Sequence, residues 1–414
     1  MSYQRIATPK VYIDNINWLM SSGQMSASDF ALTVSSMATG SSVAELFDMK
    51  PSNLQTISTN GNTAGAKIRI NTNITSGTGQ DANFIAILGH NLKEAGARIM
   101  VQEDSSSGFA SPYGGARELT EVVNCPLQSD TNTGVAISGN MDSDAGTVTV
   151  TMSSANSAKF TEGDMIKINS EIMYVDSVAS GALTVDRRQH STSLGTHSIG
   201  DEVFFTKYSA PTKNGWSLAT YATTPTDNQY IRLIIEPDGN GVDTFSADVK
   251  IGAILIGEVY EFPQVPDLKI NKQFSFDGVK RQTSIGGQTY ANATYLKGAN
   301  WFLEPFYNSA TVTAPVVMGK SGRMSLDMSF SYLDDSDIFN ENLYGGTNVT
   351  TNNKMYANII SKTHNGMHPM LFQYDKDTAT DIDSFLWCRL ANDPKFAQVA
   401  NRVWSTKMSL IEEF

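Results

Sequence analysis

Apolar and polar residues alternate along much of this chain, and the alternation has a period of two. In Arg323-Met324-Ser325-Leu326-Asp327-Met328-Ser329-Phe330-Ser331-Tyr332, five apolar positions interleave with five polar ones. Such spacing places Met324, Leu326, Met328, Phe330 and Tyr332 on one face of a strand and the polar set on the other. The final segment does the same: Trp404, Thr406, Met408 and Leu410 share a face, opposite Ser405, Lys407 and Ser409. Shorter runs predict strands at 67–70, 98–101, 147–152 and 230–235, most of them bounded by Gly, Pro, Asn or Asp. Helical spacing is scarce. The best segments are 28–37 and 42–49, about two turns each, with Ser or Asp residues available as caps. The expected fold class is mainly β.

Local texture divides the chain further. Residues 125–204 are dense in Ser, Thr, Gly and Asp, whereas 1–124 and 205–262 hold longer apolar runs such as 83–89 and 249–257. Pro263-Gln264-Val265-Pro266-Asp267 places two prolines in four positions, which removes two ladder donors and stiffens the chain. The pattern predicts a β-sandwich made of 1–124 plus 205–262, a small β-domain inserted at 125–204, and a carboxy-terminal β-domain at 263–414. Insertion at a loop is tolerated because the ends of a domain often lie close together.

Composition narrows the function classes. Lys plus Arg total 30 and Asp plus Glu total 42, so the net charge is 30 − 42 = −12. An acidic surface repels phosphate backbones and disfavours specific nucleic-acid binding. Charged residues make up 17% of the chain, below the ~25% of an ordinary soluble domain, so Ser, Thr, Asn and Gln supply much of the polarity. No apolar run approaches the ~20 residues of a membrane span; the longest, 251–259, is interrupted by Gly252, Gly257 and Glu258. The first ten residues hold no hydrophobic stretch, so no secretory signal is expected. Cys125 and Cys388 are the two cysteines, too few and too far apart for a disulfide framework or a CxxC metal site. They suit folding in a reducing cytoplasm.

The residue types that carry enzymatic chemistry do not assemble into motifs. His364 and His368 have i,i+4 spacing, but Gly366 and Pro369 break the helix that would aim both rings at one metal, and Asn365 replaces the glutamate of HExxH. Asp375, Asp377, Asp381 and Asp383 hint at calcium, yet Thr380 and Leu386 stand where an EF-hand needs Gly and Glu. The oxygen-rich 238–243 run reads as a turn, and Asp334, Asp335 and Asp337 as a solvated loop. No phosphate loop and no Gly-x-Ser-x-Gly elbow is present. No enzymatic activity, metal or cofactor is expected.

Three segments resemble known families. Asn83-Phe84-Ile85-Ala86-Ile87-Leu88-Gly89-His90-Asn91-Leu92, followed by Gly96-Ala97-Arg98-Ile99-Met100-Val101, resembles the discoidin or galactose-binding-like jelly rolls of tailed-phage structural proteins. The opening 10–19 and the 249–257 run fit the same pattern. Within the insert, Phe160-Thr161-Glu162-Gly163-Asp164-Met165-Ile166-Lys167-Ile168, then Glu171 to Val175, Leu183 to Arg187 and His197 to Val203, are similar to small β-barrel domains that decorate phage virion proteins. Each Gly-Asp pair there is accounted for as a tight turn. The last zone, through Phe414, is similar in character to distal-tail and tail-tube-like proteins.

These resemblances imply a structural component of a tailed-phage virion at the tail tip or distal tail. Copies would form a ring joining the tail tube to the adhesion apparatus, after assembly in the bacterial host cytoplasm. The partners implied are further copies of the chain and other tail proteins. Negative charge around a lumen would keep DNA from adhering as it passes. The alternative is receptor recognition, since discoidin-like jelly rolls bind sugars through loops at one end; the candidate residues are then Trp18, His90, Asn91, Tyr113 and Trp216, with a host surface glycan as ligand.

Overall fold

The computed structural model describes residues 7–33, 36–59, 67–73, 82–109, 112, 116–146, 148–222, 230–275, 279–293, 323–339, 354–378 and 384–413. Antiparallel strands dominate, arranged in several sheets, and the chain is a multi-domain protein of the β-sandwich class.

The largest sheet has eleven strands. From one edge they run Asn271–Ser275, Arg323–Asp334, Val403–Glu412, Phe385–Leu390, Met370–Gln373, Lys10–Asp14, Ala253–Glu261, Phe84–His90, Gly215–Thr220 and Thr120–Val123, with Lys395–Ala400 paired to Val403–Glu412 beside this path. Lys10–Asp14 sits in the middle. Tyr12 lies opposite Val259 on one side and Leu371 on the other. Strands from both sides of Pro263–Asp267 therefore share one ladder. That segment is itself tied down: Asp267 N–H donates to the Ser329 carbonyl at 2.8 Å, and Phe262 stacks on Phe330 with ring centres 4.7 Å apart.

A flat sheet would hold Phe385 and Trp216 about 24 Å apart, because five strand spacings of ~4.8 Å separate their strands. Their rings are instead 5.3 Å apart. The sheet must curl on itself, and the curl encloses a core of Tyr12, Phe84, Leu88, Trp216, Leu255, Leu371 and Trp387. Alternation then assigns the neighbours of Tyr12 to the opposite face, where Val11 and Ile13 join Tyr260, Phe330, Phe372 and Met408 in a second core.

A four-stranded sheet, in the order Phe30–Thr33, Ile68–Asn73, Tyr230–Pro237 and Ala97–Asp104, packs against the amino-terminal half of the large sheet. Ile70, Ile99, Val101, Leu233 and Ile235 face Ile85, Ile87, Ile254 and Ile256 across the sandwich. The inserted segment forms a six-stranded sheet: Thr149–Thr151, Ala182–Asp186, Glu171–Ala179, Met165–Ile168, Glu202–Phe205 and Thr131–Ala136. Its entry and exit lie side by side, since Gln128 N–H donates to the Tyr208 carbonyl and Ala210 N–H to that of Pro126. The Gly-Asp turns work as their chemistry predicts. Gly163 and Gly200 adopt φ of 96° and 98°, and the following aspartates accept the backbone N–H of Thr161 and Ser198, each at 2.8 Å.

Two local expectations differ from the structure. Among the described residues, neither 28–37 nor 42–49 forms an α-helix. Ala27–Asp29 and Ala44–Phe47 are 3-10 turns, and Phe30–Thr33 pairs with Ile68–Asn73 because Phe30 and Leu32 meet apolar neighbours there. The seven-residue helix is Asn15–Ser21, started by Asp14, whose carboxylate accepts Asn17 N–H at 2.8 Å. In Arg323–Asp334, Leu326, Met328 and Phe330 are buried together, but the register shifts after Phe330; Tyr332 takes φ of 61° and faces solvent, and Leu333 fills the core place.

The insert docks on the outer face of the four-stranded sheet through buried charges. Glu236 accepts Arg98 Nε at 2.8 Å and pairs with Lys67 Nζ at 2.9 Å; Lys67 also pairs with Asp164, which accepts the Tyr208 hydroxyl at 2.9 Å. Arg98 lies 4.0 Å over the Tyr208 ring, and Gln102 donates to the Gly163 carbonyl at 2.8 Å. Burial pushes the Glu236 carboxyl up, yet Lys67 and Arg98 outweigh it and hold the group below its usual range. Removing one member leaves buried charge without its partner. Glu236→Gln is expected to lower unfolding free energy by about 3–5 kcal/mol in urea denaturation; a change below about 1 kcal/mol would show that the seam contributes little.

Close backbone packing gives a second expectation. A Cβ on Gly257 would stand 1.9 Å from the Ile13 carbonyl oxygen, whereas one on Gly286 in an exposed turn meets nothing closer than 3.8 Å. Gly257→Ala should cost about 3 kcal/mol or more and Gly286→Ala should be near neutral, read as denaturation midpoints at constant m-value.

Candidate functional site: an open edge and a projecting hairpin

Sheet edges are where a β-protein can accept another chain, because an edge strand carries unpaired N–H and C=O groups. One edge of the large sheet is Asn271–Ser275. It pairs only with Arg323–Asp334 among the described residues, and residues 271–274 are exposed on both faces. Phe274 is half exposed there, and Leu268 just before it is fully exposed. The Lys272 ammonium lies 3.9 Å from the centre of the Tyr374 ring, which fastens the strand to the body.

Beyond this edge, Val279–Thr283 and Thr289–Ala293 form a hairpin that pairs with no other described strand. Its turn is well made: Ser284 N–H donates to the Gln288 carbonyl at 2.8 Å, and Gly287 takes φ of 83°. Every residue from 281 to 290 is exposed, including Ile285 at the tip and Tyr290, whose hydroxyl donates to the Gln288 side chain at 2.8 Å. A lone two-stranded hairpin is marginally stable in water, and exposed isoleucine and tyrosine on it raise the gain from burial. Sequence reasoning missed this element. The available signal was Thr283-Ser284-Ile285-Gly286-Gly287-Gln288-Thr289, a Gly-containing turn between two polar, β-branched arms.

The structure places four of the five residues expected to bind sugar. Trp18 is buried in the sandwich core and Trp216 in the curled core, where it meets Phe385 edge-on. Asn91 closes a turn: its side chain accepts Lys250 N–H at 2.7 Å and donates to the Asp248 carbonyl at 2.9 Å. His90 is buried. Its Nδ1 lies 3.3 Å from Leu92 N–H and accepts from it, so Nε2 carries the proton and donates to Ser217 Oγ at 2.8 Å; Ser217 in turn donates to the Asn124 carbonyl at 2.7 Å. Tyr113 lies outside the described residues. His90 and Trp216 sit on paired strands, while Trp18 sits on the helix after Lys10–Asp14; no stacking face is presented to solvent by either tryptophan.

The other sequence-level clusters have local explanations. Asp334 and Asp337 form a capping box at the helix Asp335–Ile338, and Asp335 accepts Trp404 Nε1–H at 2.8 Å. In the 238–243 run, Asp243 accepts Asn240 N–H at 2.8 Å. His364 contacts Ser21 Oγ at 2.6 Å, and burial together with His364 lowers His368 to about 4. Asp375 accepts Asp377 N–H at 3.1 Å, while Asp381 and Asp383 lie outside the described residues. Among the described residues, no group of three or more His, Cys, Asp or Glu could hold a metal, and no helix is long and apolar enough to cross a membrane. Cys125 and Cys388 are buried free thiols; burial, with Glu121 nearby, pushes Cys125 up to about 12.

Burial lowers His90 from its ordinary 6.5 to about 3. The unfolded chain therefore binds a proton between those values that the folded chain refuses. The stability that His90 contributes in this way is full above pH ~6.5 and is lost as pH falls toward 3, with a maximal slope of about 1.4 kcal/mol per pH unit. His90→Gln should flatten that slope in denaturation curves taken from pH 7 to 4, and an unchanged slope would assign the acid sensitivity to other groups. The chain matches no family model, no curated protein and no solved structure.

Proposed function

We propose that this chain is a structural component of a tailed-phage virion, placed at the tail tip or distal tail, which joins the tail tube to the adhesion apparatus through contacts between its own copies. One observation carries the proposal: among the described residues, a large curled sheet ends at a strand paired on one side only, Asn271–Ser275, followed by a hairpin with exposed apolar residues and no strand partner outside itself. In a free-standing protein such an edge is an aggregation hazard, whereas in an assembly the next subunit closes it. The family resemblances of 83–101, 160–203 and the carboxy-terminal zone supply the phage context. Low charge density supports the same role, since neutral-polar faces pack against neighbours with little charge desolvation. The proposal assigns no catalytic step and no cofactor.

Two measurements test it. Purified full-length chain should sediment as a defined oligomer and show closed rings in negative-stain images; a monomer across the accessible concentration range counts against self-assembly. Mass spectrometry of purified particles of the encoding phage should find the chain at a fixed, multiple copy number. Its absence from those particles would overturn the virion assignment.

A further inference from the structure

The outer face of the four-stranded sheet carries a lysine set between two carboxylates where water does not reach. Side chains alternate along Ile68–Asn73 and Tyr230–Pro237. Ile68, Ile70, Leu233 and Ile235 enter the sandwich core, which turns Lys67 and Glu236 toward the insert. Ile68 is opposite Ile235, so Lys67 and Glu236 are the next neighbours across the two strands. Asp164 reaches the same point from the turn that precedes Met165–Ile168. The Lys67 ammonium contacts the Asp164 carboxylate and lies 2.9 Å from Glu236 Oε2; the three side chains are 7%, 0% and 4% exposed in that order. Other lysine pairs among the described residues lack one of these features. Lys362 is as buried but pairs with one carboxylate, Glu258 at 2.9 Å, and Lys167 and Asp130 are each one-third exposed.

Each group around this pair has a chemical use. Burial lowers Lys67 from 10.5 to about 8 against the opposing pull of Glu236. A share of the amine is then neutral near physiological pH, and a neutral, desolvated amine is a nucleophile. Arg98 holds Glu236 Oε1 through Nε at 2.8 Å and Nη2 at 2.6 Å, which leaves Oε2 to take a proton from Lys67 Nζ. Thr161 N–H donates to Asp164 Oδ2 at 2.8 Å and the Tyr208 hydroxyl to Oδ1 at 2.9 Å. Donors on both oxygens draw charge from Cγ and stabilise the oxyanion that forms as nitrogen adds. Fixed contact between the two groups supplies an effective molarity on the order of 10⁵ M or more.

We infer that Lys67 Nζ and Asp164 Cγ join in an intramolecular isopeptide bond, with Glu236 as the proton-transfer group. The nitrogen lone pair adds to Cγ, and the Cγ–Oδ1 bond breaks. Of the three ammonium protons, two leave with Oδ1 as water, relayed by Glu236, and one remains as the amide N–H. An ammonium and a carboxylate thus become a neutral amide and water, and the balance needs no co-reactant. Oδ2 becomes the amide carbonyl oxygen and keeps the Thr161 N–H. Glu236 ends ionised and still paired with Arg98, so the product strands no buried charge. The bond ties the insert to the four-stranded sheet across 164 − 67 = 97 positions of chain. It is a property of the single chain and does not depend on the assembly proposed above.

Intact-mass measurement of the full-length chain tests this. Lys67→Arg is the reference, because it keeps a cation between the two carboxylates but supplies no nucleophilic amine. After incubation at pH about 8, where Lys67 is half neutral, the wild-type chain should be lighter than this reference by one water, once the substitution is allowed for. Tryptic digestion should yield a branched peptide that joins the segments around Lys67 and Asp164, with no cleavage after Lys67. Glu236→Gln should convert at least about tenfold more slowly, with unchanged near-UV circular dichroism showing that the insert is still docked. Conversion of Glu236→Gln at the wild-type rate would overturn the role of Glu236 in proton transfer. If that variant does not fold, the wild-type mass and the branched peptide still decide. A wild-type chain that stays at the unbonded mass overturns the inference, as does a water loss that maps to a succinimide at Asp238-Gly239 instead of to Lys67.

Discussion

The whole architecture depends on the two-sided pairing of one five-residue strand, Lys10–Asp14. Tyr12 is opposite Val259 in one neighbour and Leu371 in the other, strands separated by more than a hundred residues of chain. Its alternating side chains enter two different cores, Tyr12 on one face and Val11 with Ile13 on the other. Asp14 then caps the helix Asn15–Ser21 and accepts Ile256 N–H at 3.1 Å. One short segment thus couples the sandwich, the helix and the carboxy-terminal strands. Separate motion of those parts would require breaking a central ladder rather than bending a linker.

Buried charge performs a second coupling, with different physics. Lys67, Arg98, Asp164 and Glu236 take two cations and two carboxylates out of water together. Desolvating them is expensive, and their mutual attraction offsets that cost only in good geometry. The arrangement consequently selects one docking of the insert. A slipped position would strand a charge, whereas a purely apolar seam tolerates sliding. The insert is thereby held in one orientation on the four-stranded sheet.

Within this well-connected body, the open edge Asn271–Ser275 and the hairpin beyond it stand apart. Residues 271–274 and 281–290 bury neither face, and among the described strands the edge strand Lys395–Ala400 is nearly as exposed. Leu268 and Ile285 are fully exposed, and Phe274 and Tyr290 are only partly covered by the body they belong to. The self-assembly proposed above would cover this rim.

How much of this was legible in the chain depends on the range of each interaction. Local rules identified the β class, the strands near 230–235, 323–332 and 403–410, and the Gly163–Asp164 and Gly200–Asp201 turns, because side-chain alternation and turn chemistry act over a few residues. The same rules put Tyr332 in the core, where a register shift places Leu333, and read helix into 28–37, where pairing with 68–73 imposes a strand. They singled out His90 and Trp216 by residue type, but burial cannot be read from type alone. The sheet's curl, the joining of 10–14 to 370–373 and the seam of ions come from contacts between distant residues, and only the tertiary structure decided them. Sequence determined which faces were apolar; the fold decided which of those faces found a partner inside the chain and which were left at its rim.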